Sequence, residues 1–243
     1  MVKAYSVTDI GRKRQLNQDF VFTCVVPLGN LPNLFVVADG MGGHKAGDYA
    51  SKCTVETIVE EVAKSGKKEP VAILDDAIQF ANKLIRSKSL EDANLDGMGT
   101  TVVVSTYVDD TLYVANVGDS RLYVIGDTIT QITRDHSLVE EMVRMGGIDR
   151  VAARNHPDKN IITRAIGAAN SVNVDFFEVT MKPQDLVLMC SDGLTNMIED
   201  EEILRLVKSE KDLKAKADLL VKTANDNGGK DNIAVLLMQP CEE

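Results

Sequence analysis

Four apolar, β-rich runs of this chain each carry an aspartate at one end: Asp39 in LFVVADGMGGH, Asp119 in LYVANVGDSR, Asp192 in LVLMCSDGLTN and Asp231 in GGKDNIAVLLM. In three of them the acid follows the run, inside a glycine or polar turn; at Asp231 it comes first. An acid at a strand end projects from the rim of a sheet, so a fold that brings such rims together builds an anionic pocket lined by oxygen. Hard divalent cations favour that kind of pocket. The constraint lies in the joint pattern, because a lone Asp-Gly is a common turn dipeptide: glycine tolerates positive φ and aspartate bonds nearby backbone. Asp96-Gly97 in ANLDGMGTT reads as such a turn. Joining the four acids is GRKRQLNQDF, in which Arg14 precedes Asn17, Gln18 and Asp19. A guanidinium fork suits a phosphate dianion, and arginine beside a carboxylate-held metal pair points to phosphoryl chemistry.

The runs between these motifs set the fold class. Strands are predicted at 4–8, 20–26 and 34–38, followed by two amphipathic helices. In the first, Val55, Ile58, Val59 and Val62 repeat at three and four residues; in the second, opened by Pro70, Leu74, Ala77, Ile78, Ala81 and Ile85 do the same. Strands return at 101–108, 112–116, 122–125 and 129–133, with short turns at Asp109-Asp110 and Gly126-Asp127 that imply antiparallel hairpins. From 135 to 164 the pattern breaks into a short helix, an MGG turn and a polar segment with Arg150, Arg154, His156 and Pro157, and a stretch that long inside a compact domain is usually functional or mobile. Strands at 174–180 and 186–190, helices at 201–208 and 213–225, and a last strand at 233–238 complete the chain. Strand runs with helices grouped between them predict an α+β layered fold.

A length of 243 residues suits one large domain, so 1–243 is read as a single unit. With 27 basic against 37 acidic residues and a net charge of −10, duplex nucleic acid and anionic membranes are poor partners. Cys24, Cys53, Cys190 and Cys241 form no Cys-x-x-Cys pair, which argues against zinc and against a disulfide scaffold. No apolar signal core opens the chain, and IAVLLM is too short to span a bilayer. The expectation is a soluble, cytoplasmic protein with no membrane insertion.

Six motifs in order, Arg14-x-x-Asn17-Gln18-Asp19, Val37-Ala38-Asp39-Gly40-Met41-Gly42-Gly43-His44, Gly99-Thr100-Thr101, Asn116-Val117-Gly118-Asp119-Ser120-Arg121, Cys190-Ser191-Asp192-Gly193-Leu194 and Gly229-Lys230-Asp231-Asn232, resemble those of the PP2C-type, metal-dependent serine/threonine protein phosphatases. The compact bacterial members are the most similar. The resemblance implies two packed antiparallel sheets flanked by helix pairs, with a flap at about 135–164 beside the cleft. It implies two Mg²⁺ or Mn²⁺ ions activating a bridging water that hydrolyses phosphoserine and phosphothreonine without a phosphoenzyme. Asp39 would bridge the ions, the Gly40 carbonyl would join one, Asp192 and Asp231 would hold the other, Asp19 would orient metal waters, and Arg14 would clamp phosphate. Asp119 is either the ligand of a third, weaker ion or the cap of its own turn.

The leaving group takes its proton either from a metal-bound water or from His44. His136 reads as a structural hydrogen-bonding residue, His156 as a candidate substrate contact from the flap, and Arg121 as half of a structural ion pair. The implied partners are phosphorylated proteins, a Hanks-type kinase and its substrates among them. The alternatives are a phosphatase dedicated to one regulator, or a noncatalytic phosphoprotein-binding module, against which intact Asp39, Asp192 and Asp231 weigh.

Overall fold

The computed structural model describes residues 1–42 and 46–241. Its longest apolar runs explain the architecture, because a strand buried on both faces loses the usual alternation of apolar and polar side chains. In Leu34–Met41 (β3), Leu34, Val36 and Ala38 face one way and Phe35 and Val37 the other, and all five are buried. In Ile233–Pro240 (β11), Ile233, Val235 and Leu237 oppose Ala234, Leu236 and Met238 in the same manner.

Each face belongs to a different core. Leu34, Val36 and Ala38 pack with Ile58 and Val62 of Ala46–Lys64 (α1) and with Leu74, Ile78 and Ile85 of Pro70–Glu91 (α2). Phe35 and Val37 meet Ala234, Leu236 and Met238 in the layer between the sheets. Val235 and Leu237 pack with Ile203 and Val207, and with Leu220 and Ala224. Helix pair, sheet, sheet and helix pair are thus stacked in that order, an α+β sandwich.

One sheet runs β1-β11-β10-β7-β8, built from Val2–Asp9 (β1), Arg121–Ile125 (β7), Ile129–Gln131 (β8), Leu186–Cys190 (β10) and β11. The other runs β2-β3-β5-β6-β9, from Asp19–Cys24 (β2), β3, Val102–Val108 (β5), Thr111–Val117 (β6) and Asp175–Thr180 (β9), with Gly99–Thr100 (β4) paired to the end of β3. Asp109 and Asp110 both take positive φ, as a two-residue hairpin turn between β5 and β6 requires. Asp200–Ser209 (α6) and Leu213–Asp226 (α7) cover the first sheet.

Three differences from the sequence reading bear on the site. The strand predicted to stop at Ala38 continues through Asp39 and Gly40 to Met41, because Gly40 and Met41 pair with Thr100 and Gly99. Asp192 opens a short helix, Asp192–Thr195 (α5), instead of sitting in a turn. The 135–164 segment holds two helices, Leu138–Arg144 (α3) and Arg150–Arg154 (α4), where one was predicted. That excursion is cinched at its base: Leu138 N–H donates to Ile161 O at 2.8 Å and Thr163 N–H to His136 O at 2.7 Å.

Candidate metal centre

Strand register brings the acids to one rim. Arg121 and Val235 both pair with Cys190, so the segments holding Asp119 and Asp231 flank the start of α5 at Asp192. In the second sheet Asp19 and Asp39 are direct cross-strand partners. Arg14, Asp39, Gly40, Asp119, Asp192 and Asp231 all line one cleft of about 240 Å³. Asp19 lies behind it, 6% exposed.

Glycine permits two of the close approaches. A Cβ at Gly40 would stand 2.0 Å from Gly47 O, and one at Gly193 would stand 1.8 Å from Asn232 O. Neither α1 against β3 nor α5 against the Asp231 loop could pack this tightly with any side chain at those positions.

Polar side chains that the sequence reading did not assign fix the rim. Thr101 Oγ1 accepts Asp39 N–H at 3.0 Å, and Thr100 Oγ1 donates to Asp39 O at 2.8 Å. Ser191 joins the sheets, donating to Asp19 Oδ2 at 2.6 Å while accepting Ala234 N–H at 2.9 Å. Asn232 Nδ2 donates to Ile10 O and Leu16 O, and its Oδ1 accepts Gln18 N–H, which anchors the loop that presents Arg14.

Electrostatically the rim is poorly compensated by protein cations. Burial first, then repulsion from Asp19, Asp192, Asp119 and Asp231, pushes the Asp39 carboxyl well above the usual range. Burial also pushes Asp19 up to about 8, although the Ser191 hydroxyl pulls the other way, and it raises Asp119 to about 8 and Asp192 to about 6. Asp19 Oδ1 is buried with no hydrogen-bond partner. An all-oxygen donor set with surplus negative charge and an orphaned carboxylate oxygen fits a hard divalent cation.

Among the described residues no three acidic, His or Cys side chains form a ready-made cage. Mg²⁺-type sites are commonly completed by one or two carboxylates and water, and the Gly40 backbone lines the same cleft. Arg14, expected on phosphate, donates instead to Asp231 Oδ2 at 2.7 Å and is half exposed at the cleft mouth.

These shifts predict a pH dependence. A folded-state carboxyl raised above its ordinary 3.8 destabilises the metal-free fold increasingly as pH climbs toward its folded value, and a cation must displace the retained protons. The rise in melting temperature that Mn²⁺ produces, relative to EDTA, is expected to grow from about pH 6 to about pH 8. Scanning calorimetry in which that rise shrinks over the window would contradict the assignment.

The remaining candidates divide. His136 is buried, with Nδ1 accepting Gly118 N–H at 2.9 Å and Nε2 3.0 Å from Asp175 Oδ2, so it braces the Asp119 turn. Arg121 forks onto Asp135 through Nε and Nη2 at 3.0 and 2.7 Å. His156 turns back on its own loop, its Nδ1 accepting Asp158 N–H at 3.2 Å, and it lines neither this cleft nor the neighbouring cavity of about 450 Å³ between the excursion and α5–α6. Lys159, unassigned by the sequence, lines that neighbouring cavity. His44 lies outside the described residues.

Residues 27–233 match the model of the Protein phosphatase 2C family. The chain is 42% identical over 237 residues to a serine/threonine phosphatase, Stp, of Listeria innocua, covering 96% of this chain and 93% of that protein. Its fold superposes on the crystal structure of the Staphylococcus aureus serine/threonine phosphatase Stp1 with a TM-score of 0.92 at 36% identity, over 100% of this chain and 96% of that one. The catalytic domain of the serine/threonine protein phosphatase PstP, crystallised with two manganese ions, superposes with a TM-score of 0.87 at 29% identity, over 99% of each chain.

Proposed function

The chain belongs to the Protein phosphatase 2C family, and from that premise we propose that its acidic cleft hydrolyses phosphoserine and phosphothreonine in proteins, using two Mg²⁺ or Mn²⁺ ions. The observation that carries this reading is the convergence of Asp39, Gly40, Asp192, Asp231 and Arg14 on one cleft whose buried acids outnumber the cations facing them. Asp39, the Gly40 carbonyl, Asp192 and Asp231 would hold the ions, with Asp19 orienting their water and Asp119 available to a third. Bound divalent ions supply water activation and neutralise charge on the phosphoryl group.

The chain's own groups bind and orient. Arg14 would exchange Asp231 for the phosphate, since its side chain is half exposed and the Asp231 pair lies at the same cleft. Thr101 is no free nucleophile, because its hydroxyl is held between Asp39 N–H and Ser120 Oγ. Cys190 is fully buried and its thiol is pushed up by burial, which removes it as a nucleophile. Both observations support reading the hydrolysis as direct, without a phosphoenzyme. The leaving oxygen takes its proton from water, or from His44.

Among the described residues no helix is long and apolar enough to cross a membrane. The reading is completed by a single catalytic domain with residues 135–164 as its flap, acting in the cytoplasm on phosphoproteins made by a Hanks-type kinase. Acid-quenching the enzyme during turnover of a ³²P-labelled phosphoprotein should leave no label on it, and a labelled enzyme band would overturn the direct mechanism. For Arg14→Ala the expected result is a KM for aryl phosphate raised roughly ten- to a hundredfold, as for losing a charge-assisted pair. Its Mn²⁺ affinity should not fall, because Asp231 then loses a competing cation and keeps only the Asn232 N–H on Oδ1; an unchanged KM would make Arg14 purely structural.

A further inference from the structure

Two cations of the 135–164 excursion seat on the turn that follows α5. Arg154 Nε lies 2.6 Å from Glu199 Oε1, and Lys159 Nζ donates to Asn196 Oδ1 at 3.2 Å. The first pair is solvent-exposed at Glu199 (62%), where screening leaves it little strength. The second leads inward. Asn196 caps the C-terminal end of α5, its backbone N–H donating to Asp192 O at 2.7 Å, and its Nδ2 donates to Asp192 Oδ2 at 2.8 Å. The amide has one sensible orientation, since an ammonium can only donate and an ionised carboxylate can only accept.

We infer that Asn196 is a positioning residue that sets the Asp192 carboxylate and ties it to the seating of the flap through Lys159. This rests on the reading of Asp192 as a metal-holding acid. The Asn196 bond commits Asp192 Oδ2 and leaves Oδ1 as the freer donor, so the carboxylate meets a cation already oriented. Because one amide serves both partners, a shift of Asp192 toward a cation is carried to Lys159. Seating of the loop around Lys159 in turn favours one carboxylate pose. Outer partners of this kind typically govern ligand orientation at metal sites.

The test uses the full chain and Mn²⁺ alone. Asn196→Leu keeps the approximate shape and removes both hydrogen bonds; Lys159→Met cuts only the outer one. Calorimetric titration should show Mn²⁺ binding to Asn196→Leu roughly tenfold or more weakly than to wild type, and the loss in Lys159→Met should be smaller than in Asn196→Leu. Hydrogen exchange should show that Mn²⁺ protects the amides of 155–161 in wild type and in neither variant.

A merely structural role would lower the melting temperature and move neither readout. Wild-type Mn²⁺ affinity in Asn196→Leu, or protection that survives in either variant, would overturn the inference. Should Asn196→Leu fail to fold, protection in Lys159→Met decides. A wild type that takes up no Mn²⁺ would instead overturn the metal reading beneath it.

Discussion

Asp39→Asn is expected to leave a folded protein that releases phosphate from phosphoprotein at about a hundredth of the wild-type rate or less, on the scale of losing one preorganised electrostatic group. The substitution keeps the shape, and the backbone bonds that hold position 39, to Thr100, Thr101 and the neighbouring strand, do not involve its carboxylate. What it removes is the charge at the most crowded point of the rim, where Asp19, Asp192, Asp119 and Asp231 all repel it. The same removal gives a second, opposite effect: without metal, Asp39→Asn should melt at a higher temperature than wild type, while losing the stabilisation that Mn²⁺ confers. Function and stability trade against each other at such a site. Activity above a tenth of wild type at saturating Mn²⁺ would remove Asp39 from its proposed role.

Asp192→Ala should be the next most damaging change, and of a different kind. It deletes one acid and strands Asn196, whose Nδ2 loses its acceptor. At low Mn²⁺ the loss of activity should at least match the ten- to hundredfold typical of losing an outer-sphere partner. Raising Mn²⁺ should recover part of it by mass action, because Asp39 and Asp231 remain. A titration that shows the same apparent Mn²⁺ affinity as wild type would sink the assignment. Circular dichroism on the same samples separates ligand loss from unfolding, since α5 packs against Asn232 through Gly193.

Much of the layered fold was legible because burial writes itself into local pattern. LFVVA and IAVLLM are apolar at every position, as strands covered on both faces must be, and the stripe of α2 from Leu74 to Ile85 gave that helix its buried face. The acids were legible for a related reason, standing at the junction of such runs with turns. What escaped was carried by contacts remote in sequence. Asp39 read as a turn residue because the pairing that extends β3 comes from Gly99 and Thr100, about sixty positions away. Ser191 meets Asp19 across 172 positions and Asn232 meets Gln18 across 214, and no local signal marks either. The five-residue α4 was missed because so short a helix owes its existence to its setting more than to propensity. Arg14 was found by its motif, yet its resting partner, Asp231, could be seen only once both ends of the chain were folded together.

The central claim is that this rim of carboxylates makes the chain a metal-dependent protein phosphatase. Its most direct test is phosphate release from a phosphothreonine peptide by EDTA-stripped wild-type protein, measured before and after Mn²⁺ is restored. The account predicts no release above background without metal and full turnover on adding Mn²⁺, with Asp39→Asn reaching about a hundredth of that turnover or less. Equal release with and without Mn²⁺, or none in either, would contradict it.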